Sequence, residues 1–161
     1  TINQMLNQTS WGELDYLLID LPPGTGDVQL SLSQLVNVTG AVLVTTPQDM
    51  ALLDVRRACS MFRKTHIPVF GVLENMAYYQ LPDGTRDYIF GEGGAEELAK
   101  SESLQLLGQI PIARSIRESG DKGKPFVLTD PDDPQAQAFR DAARGLAGII
   151  STQVAMELPL L

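Results

Sequence analysis

The sequence has few residues that could crosslink the chain and no long apolar run that could span a membrane. It contains one cysteine, Cys59, so no disulfide can form within the chain and a single thiol cannot by itself hold a metal site. A lone cysteine fits a reducing compartment. No apolar run approaches the roughly 20 residues of a membrane-spanning helix, and no signal peptide is visible. We therefore expect a cytoplasmic location.

Positive charge is also scarce. The 161 residues include 12 Lys and Arg against 20 Asp and Glu, for a net charge of −8. This balance argues against nonspecific binding to nucleic acid or to an anionic membrane. A hydrophobic content of 43% at this length predicts one globular domain, residues 1–161, that is large enough to bury a core.

The most informative stretch is LLIDLPPGTGD, from Leu17 to Asp27. The apolar run Tyr16–Ile19 predicts a buried strand, with Asp20 at its carboxyl end, where parallel sheets place their ligands. The two prolines that follow cannot continue a strand, whereas Gly24 and Gly26 let backbone amides approach a phosphate closely. The pattern favours an acid for a metal and a loop for a phosphate, although a strand ending in a tight turn explains this segment alone equally well.

The rest of the chain alternates apolar strands with helical periodicity. Strands are predicted at 41–44, 69–73 and 104–110. Helices are predicted at 1–6, 28–36, 48–64, 95–100 and 135–154, with a helical turn at 115–119 and a hairpin around Pro82–Gly84. Cys59 lies on the apolar stripe of its helix and is interpreted as a core residue. Alternation of this kind predicts an α/β fold, with a mostly parallel sheet and helices on both faces.

Asn75 is the second candidate residue. It follows Glu74 at the carboxyl end of the strand predicted at 69–73. An amide side chain offers both a donor and an acceptor, which pairing with the edge of a purine requires. The alternative is an asparagine that only forms the turn after the strand.

Several segments, in the same order, resemble the Mrp/ApbC family of P-loop ATPases, which are iron–sulfur cluster carriers related to MinD and ParA. They are WGELDYLLIDLPPGTGDVQLSLSQ, VTTPQDMALLDVRRACSMFRK, PVFGVLENMAYY, YIFGEGGAEELA and IPIARSIRESGDKGKP. Together they cover most of Trp11 to Pro125 and are far more specific than any one of them. The resemblance implies a three-layer α/β/α fold of the P-loop NTPase type.

The resemblance also implies an ATP- and magnesium-dependent carrier that acts as a homodimer and delivers clusters to target or assembly proteins. Asp20 would hold Mg²⁺ through water, and Gly24 would donate its amide to the γ-phosphate; these are the catalytic candidates. Asn75 would contact the adenine, while Thr25 and Pro111 complete the candidate contacts with the nucleotide.

Two departures limit what can be carried over. No GxxxxGK[ST] loop occurs in these residues, so we expect the carboxyl-terminal part of a larger ATPase and little activity from this chain alone. Many family members have a CxxC pair where this sequence reads AYYQLPDGTRD. Leu81 and Gly84 stand at roughly the ligand positions, and neither side chain can bind iron. No iron–sulfur ligands are therefore predicted in this segment.

Two other functions remain open. A noncatalytic interaction module would fit the missing phosphate loop and the missing CxxC pair. A ParA/MinD-like partitioning ATPase that acts on membrane or DNA is disfavoured, because the residues near Leu161 do not form a basic amphipathic tail.

Overall fold

The computed structural model describes residues 2–22, 31–32 and 35–157. In chain order, the helices and strands named below are α1 (Ile2–Asn7), β1 (Ala41–Thr45), α2 (Asp49–Lys64), β2 (Val69–Glu74), β3 (Tyr79–Gln80), β4 (Arg86–Asp87), α3 (Gly94–Glu102), β5 (Leu106–Gln109), α4 (Arg114–Asp121), α5 (Phe126–Thr129) and α6 (Pro134–Glu157). The predicted helix at 28–36 falls largely outside the described residues, although residues 31, 32 and 35 are helical.

The main sheet has three strands in the order β1-β2-β5, and both pairs are parallel. The strands predicted at 41–44, 69–73 and 104–110 are thus confirmed, and β2 lies at the centre. The last row of the register places Thr45 beside Glu74 and Glu74 beside Gln109. Because the strands are parallel, their carboxyl ends meet at one edge of the sheet.

Helices α2 and α3 cover one face of this sheet. Their apolar side chains pack with Leu43 and Val72 in the main core, which includes Leu52, Cys59, Phe62, Ala95 and Leu98. Leu98 and Cys59 are both 0% exposed. The apolar stripe predicted for α2, with Cys59 in the core, is therefore confirmed.

Helix α6 covers the opposite face. The register pairs Leu73 with Gly108, and each of the two precedes the pair Glu74 and Gln109 by one residue. Because successive residues of a strand face opposite sides of the sheet, Leu73 and Gly108 face the side opposite to α2 and α3. A Cβ atom at Gly108 would lie 3.3 Å from the Cβ of Ala142 in α6. Helices on both faces give the predicted three-layer α/β/α arrangement.

A short hairpin, β3 and β4, follows the central strand. Its turn contains Asp83, whose carboxylate accepts hydrogen bonds from the Thr85 amide at 2.9 Å and the Thr85 hydroxyl at 2.6 Å. Arg86 lies 4.1 Å from the centre of the Tyr78 ring, in a cation–π contact. The hairpin predicted around Pro82–Gly84 is confirmed.

The strand predicted at Tyr16–Ile19 is wrong for this structure. These residues are irregular, and their exposed fractions run from 39% for Ile19 to 84% for Leu18. Asp20 consequently follows no strand. An extended segment becomes a strand only when a neighbour accepts its ladder of hydrogen bonds, and no described strand pairs with these residues. The apolar composition of Tyr16–Ile19 was not sufficient to form a strand without that neighbour.

None of the helices in the described part of the chain is long and apolar enough to cross a membrane.

Candidate functional site

The carboxyl edge of the sheet brings together the polar residues that follow the three strands. The Asn75 amide donates to the Thr45 carbonyl at 2.7 Å, which joins the segment after β2 to the end of β1. The Ile110 amide donates to the Glu74 carbonyl at 2.8 Å, which joins β5 to β2. Thr46, Asn75 and Pro111 thus follow strands that end side by side. The sequence predicted this edge from the position at which each apolar run stops.

Asn75 presents a polar side chain at this edge and is half-buried. Its Oδ1 accepts the Met76 amide at 3.0 Å. Among the described residues its Nδ2 has no hydrogen-bond partner. Met76 has a φ of 55°, so the chain turns sharply after Asn75. This arrangement leaves a side-chain donor available for a ligand. Asn75 also lies in a local turn, as its alternative interpretation predicted.

The loop after β1 lies against the start of α3. Gly94 comes so close that an added Cβ would lie 2.6 Å from the Pro47 carbonyl oxygen and 2.8 Å from Leu52. The Thr46 hydroxyl donates to Gln48 at 2.8 Å, which ties the loop to itself. The close approach of the Pro47 backbone therefore explains why a glycine stands at position 94, in the GEGG segment.

Pro111 is buried rather than open at the edge. The residues on both sides of it are tied to the segment after β2. Ala77 donates to the Ile110 carbonyl at 2.9 Å, and Ile112 donates to the Tyr78 carbonyl at 2.7 Å. Pro111 is well placed to hold this edge together, and its burial leaves it little surface for contact with a ligand.

Asp20 is exposed and forms no hydrogen bond or ion pair with any described residue. Its neighbour Leu21 packs against the main core, which anchors the segment next to Asp20. The structure therefore brings Thr46 and Asn75 together and shows no contact from Asp20 to either. Gly24 and Thr25 lie outside the described residues.

The sequence interpretation gave no role to Glu74 and Gln109. Glu74 is 1% exposed, and both of its carboxylate oxygens accept hydrogen bonds. Gln109 Nε2 is one of the donors, at 2.6 Å. The available signal was a charged residue and an amide, each at the end of an otherwise apolar strand, where a polar side chain needs a partner.

The only thiol of the chain is unsuited to metal binding. Burial raises the pKa of the Cys59 thiol above its ordinary value, and the positive charge of Arg63 opposes this increase only partly. Metal ligation requires a thiolate. Nearby, Glu102 pairs with Arg63 at 2.7 Å and with Arg56 at 3.5 Å, so its carboxylate already has partners. Across the residues that the structure describes, no group of three or more His, Cys, Asp or Glu could hold a metal ion.

Curated proteins include close relatives of this chain. An iron–sulfur cluster carrier protein of Deinococcus radiodurans is 55% identical over 159 residues, which are 98% of this chain and 45% of the relative. An iron–sulfur cluster carrier protein of Aquifex aeolicus is 51% identical over 95% of this chain and 42% of its own length. An iron–sulfur cluster transfer protein of mouse, NUBPL, is 48% identical over 86% and 44%. The chain thus spans about half the length of these relatives.

Two solved structures are also similar to this chain. A nucleotide-binding protein of Archaeoglobus fulgidus, solved in complex with ADP, is 42% identical, with a TM-score of 0.72 over 86% of this chain and 56% of that one. The cell division ATPase MinD of Pyrococcus furiosus is 26% identical, with a TM-score of 0.54 over 69% and 43%.

The sequence profile described as the NUBPL iron-transfer P-loop NTPase of the ParA group matches residues 1–147. This match covers the whole sheet, the hairpin and the first part of α6. The chain belongs to this iron-transfer P-loop NTPase family.

Proposed function

We propose that the protein acts as an ATP-binding iron–sulfur cluster carrier in which the state of the nucleotide controls cluster transfer. The observation that carries this proposal is the family match over residues 1–147, combined with the Asn75 side chain at the carboxyl edge of the sheet, whose Nδ2 is unpaired among the described residues. The relative from Archaeoglobus, solved with ADP, supports nucleotide binding by this fold. The proposal includes a homodimer, iron–sulfur target or assembly proteins as partners, and a cytoplasmic location.

In this proposal each candidate residue contacts a different part of the nucleotide. Asn75 contacts the adenine with its Nδ2, which has no hydrogen-bond partner in the described part of the chain. Asp20, exposed and unpaired among the described residues, would hold Mg²⁺ through water, because Mg²⁺ usually keeps several of its water ligands when a carboxylate binds it. Gly24 and Thr25 contact the phosphates, and Pro111 supports the base side of the site from its buried position. Mg²⁺ would supply charge neutralisation at the phosphates.

These 161 residues bind nucleotide weakly on this proposal. They lack the lysine and most of the amides of a phosphate loop, so most of the triphosphate charge is unmatched. We expect ATP with Mg²⁺ to bind this chain no better than about millimolar, or roughly −4 kcal/mol. Calorimetry measures the affinity, and a micromolar dissociation constant would contradict this division of labour.

An NMR titration tests the base contact even at millimolar affinity. ATP with Mg²⁺ should shift the backbone amides of Thr46 and Met76 and the side-chain amide of Asn75. The variant Asn75→Ala should remove most of this response. The matched control is Asn7→Ala, because Asn7 is exposed on α1 and its side chain bonds only with Asn3 among the described residues. Shifts scattered over the surface, or an unchanged response in Asn75→Ala, would refute the base contact.

The cluster itself is the cargo, and the residues of this chain do not fit it as ligands. Iron–sulfur clusters need thiolates, whereas the one cysteine is buried and its pKa is raised. We predict that this chain, reconstituted with iron and sulfide, shows no cluster absorption. A stable [4Fe–4S] spectrum that disappears in Cys59→Ser would overturn this prediction.

One observation favours a second candidate, a noncatalytic interaction module. Strand β1 is an edge of the described sheet, and Val44 on it is 56% exposed. An unpaired edge with an apolar side chain can accept a strand from a partner. The NMR titration separates the two candidates, since a pure interaction module gives no adenine-dependent shift at Asn75.

A further inference from the structure

Glu74 is the buried charged side chain of the described residues, and its position is unusual. It is 1% exposed and ends the central strand immediately before Asn75. Removing a carboxylate from water is costly unless hydrogen bonds replace its hydration. The partners of Glu74 therefore indicate what its burial provides.

The first partner is the start of helix α3. The Glu74 Oε1 accepts the Ala95 backbone amide at 3.0 Å, from a residue 21 positions later in the chain. The residue that precedes the helix is Gly93, which has a φ of 75° and no side chain that could cap it. Helix amides at this end need an acceptor, and a negative charge there is favourable. Glu74 thus caps α3 from the centre of the sheet.

The second partner is the end of strand β5. The Glu74 Oε2 accepts Gln109 Nε2 at 2.6 Å, and the Glu74 carbonyl accepts the Ile110 amide at 2.8 Å. One residue therefore joins the carboxyl ends of β2 and β5 and the start of α3. Since Gly94 lies against Pro47, the loop after β1 is held in the same assembly.

We propose that Glu74 is a positioning residue that fixes Asn75 at the sheet edge for recognition of an adenine base. This inference rests on the proposed function, in which Asn75 contacts the base. Asn75 immediately follows Glu74, the last residue of β2. The Asn75 amide is bonded to Thr45, and the Glu74 carbonyl next to it is bonded to the Ile110 amide. The two side-chain bonds of Glu74 hold the same strand end against α3 and β5. Their loss leaves the turn from which the Asn75 side chain projects with backbone bonds alone.

A methionine has nearly the shape of Glu74 but no side-chain oxygen, so Glu74→Met removes the acceptor of both the Ala95 amide and Gln109 Nε2. Glu74→Gln is the conservative variant. Its oxygen can accept from Ala95, and its NH2 group can donate to Gln109 once the Gln109 amide turns to present its own oxygen.

The experiment is an NMR comparison of the 161-residue chain and its variants, titrated with ATP and with GTP in the presence of Mg²⁺. In the wild type the Asn75 side-chain amide should respond more strongly to ATP. In Glu74→Met the preference for ATP should fall by about fivefold, the ratio that the loss of one hydrogen bond to the base would give. Glu74→Gln should keep most of the preference. Glu96→Gln is the matched control, because Glu96 lies in the first turn of α3 but is exposed and pairs only with Lys100 among the described residues.

Hydrogen exchange of the Ala95 amide and the chemical shift of the Asn75 side chain, measured without nucleotide, provide a second readout. Both should change in Glu74→Met and stay close to the wild-type values in Glu74→Gln. If Glu74→Met does not fold, Gln109→Met removes one donor at similar volume and should give a smaller change of the same kind.

The two ideas fail differently. If the wild type does not distinguish ATP from GTP at Asn75, the base contact of the proposed function is refuted and the positioning role has no base to serve. If the wild type distinguishes them and folded Glu74→Met keeps the same preference, or Glu74→Gln loses as much of it as Glu74→Met does, the positioning role of Glu74 is refuted while the proposed function stands.

Discussion

The carboxyl edge of the sheet and the segment Tyr16–Asp20 make an instructive pair. Both were expected at the candidate site, and the segment is the more apolar of the two. At the sheet edge every strand has a neighbour, and even the charged Glu74 is buried because two donors satisfy it. In the segment, Leu18 is 84% exposed and no described strand pairs with its backbone. Burial here follows from hydrogen-bond partners more than from apolar composition.

The largest effect should separate a leucine of the core from a leucine of the segment. Leu98 is 0% exposed in α3, so Leu98→Ala should lower the free energy of unfolding by about 2 to 5 kcal/mol. Leu18→Ala, at 84% exposure, should change it by less than about 0.5 kcal/mol. Urea denaturation measures both. Equal losses would mean that the segment is packed in solution, and the comparison would fail.

A smaller effect should distinguish two glycines by their surroundings. In Gly94→Ala the new Cβ would lie 2.6 Å from the Pro47 oxygen, so we expect a loss of about 1 to 3 kcal/mol. Gly120 lies in α4 with nothing within 4 Å of an added Cβ, and Gly120→Ala should stabilise by about 0.4 to 1 kcal/mol. Thermal unfolding of the two variants gives opposite shifts if the sheet edge is as tightly packed as described.

The smallest effect concerns the hairpin turn, which lies away from both regions. Hydrogen bonds from Thr85, first from its hydroxyl and then from its amide, lower the pKa of Asp83 below its usual value of 3.8. A lowered folded-state pKa contributes stability above the unfolded pKa, and this contribution is lost as the pH falls through the folded value. An NMR titration should show the Thr85 amide shifting only in this acidic range, and Asp83→Asn should remove the transition. A transition near neutral pH would assign it to another group.

Local pattern predicted most of the framework, because its causes are local. The apolar stripe of α2 placed Cys59 in the core, and the positions at which apolar runs stop predicted that Asn75 would follow a strand. Glycine and proline spacing predicted the hairpin turn. Each of these features depends on side-chain periodicity or backbone freedom within a few residues.

The candidate site was only partly predictable, because its geometry depends on distant residues. The sequence indicated Asn75 and the edge to which it belongs. It gave no indication that Glu74 accepts from an amide 21 residues later, since nothing in the local pattern pairs the end of β2 with the start of α3. It also placed Asp20 at the end of a strand that does not form among the described residues.

The sequence by itself determined the α/β class, the parallel strands, the core face of α2 and the family. The tertiary structure alone decided which groups become partners: Glu74 with Ala95 and Gln109, Gly94 against Pro47, and an apolar run left exposed for want of a neighbouring strand. The physical reason is that periodicity is encoded residue by residue, whereas hydrogen bonds between elements exist only once the chain has brought their donors and acceptors together.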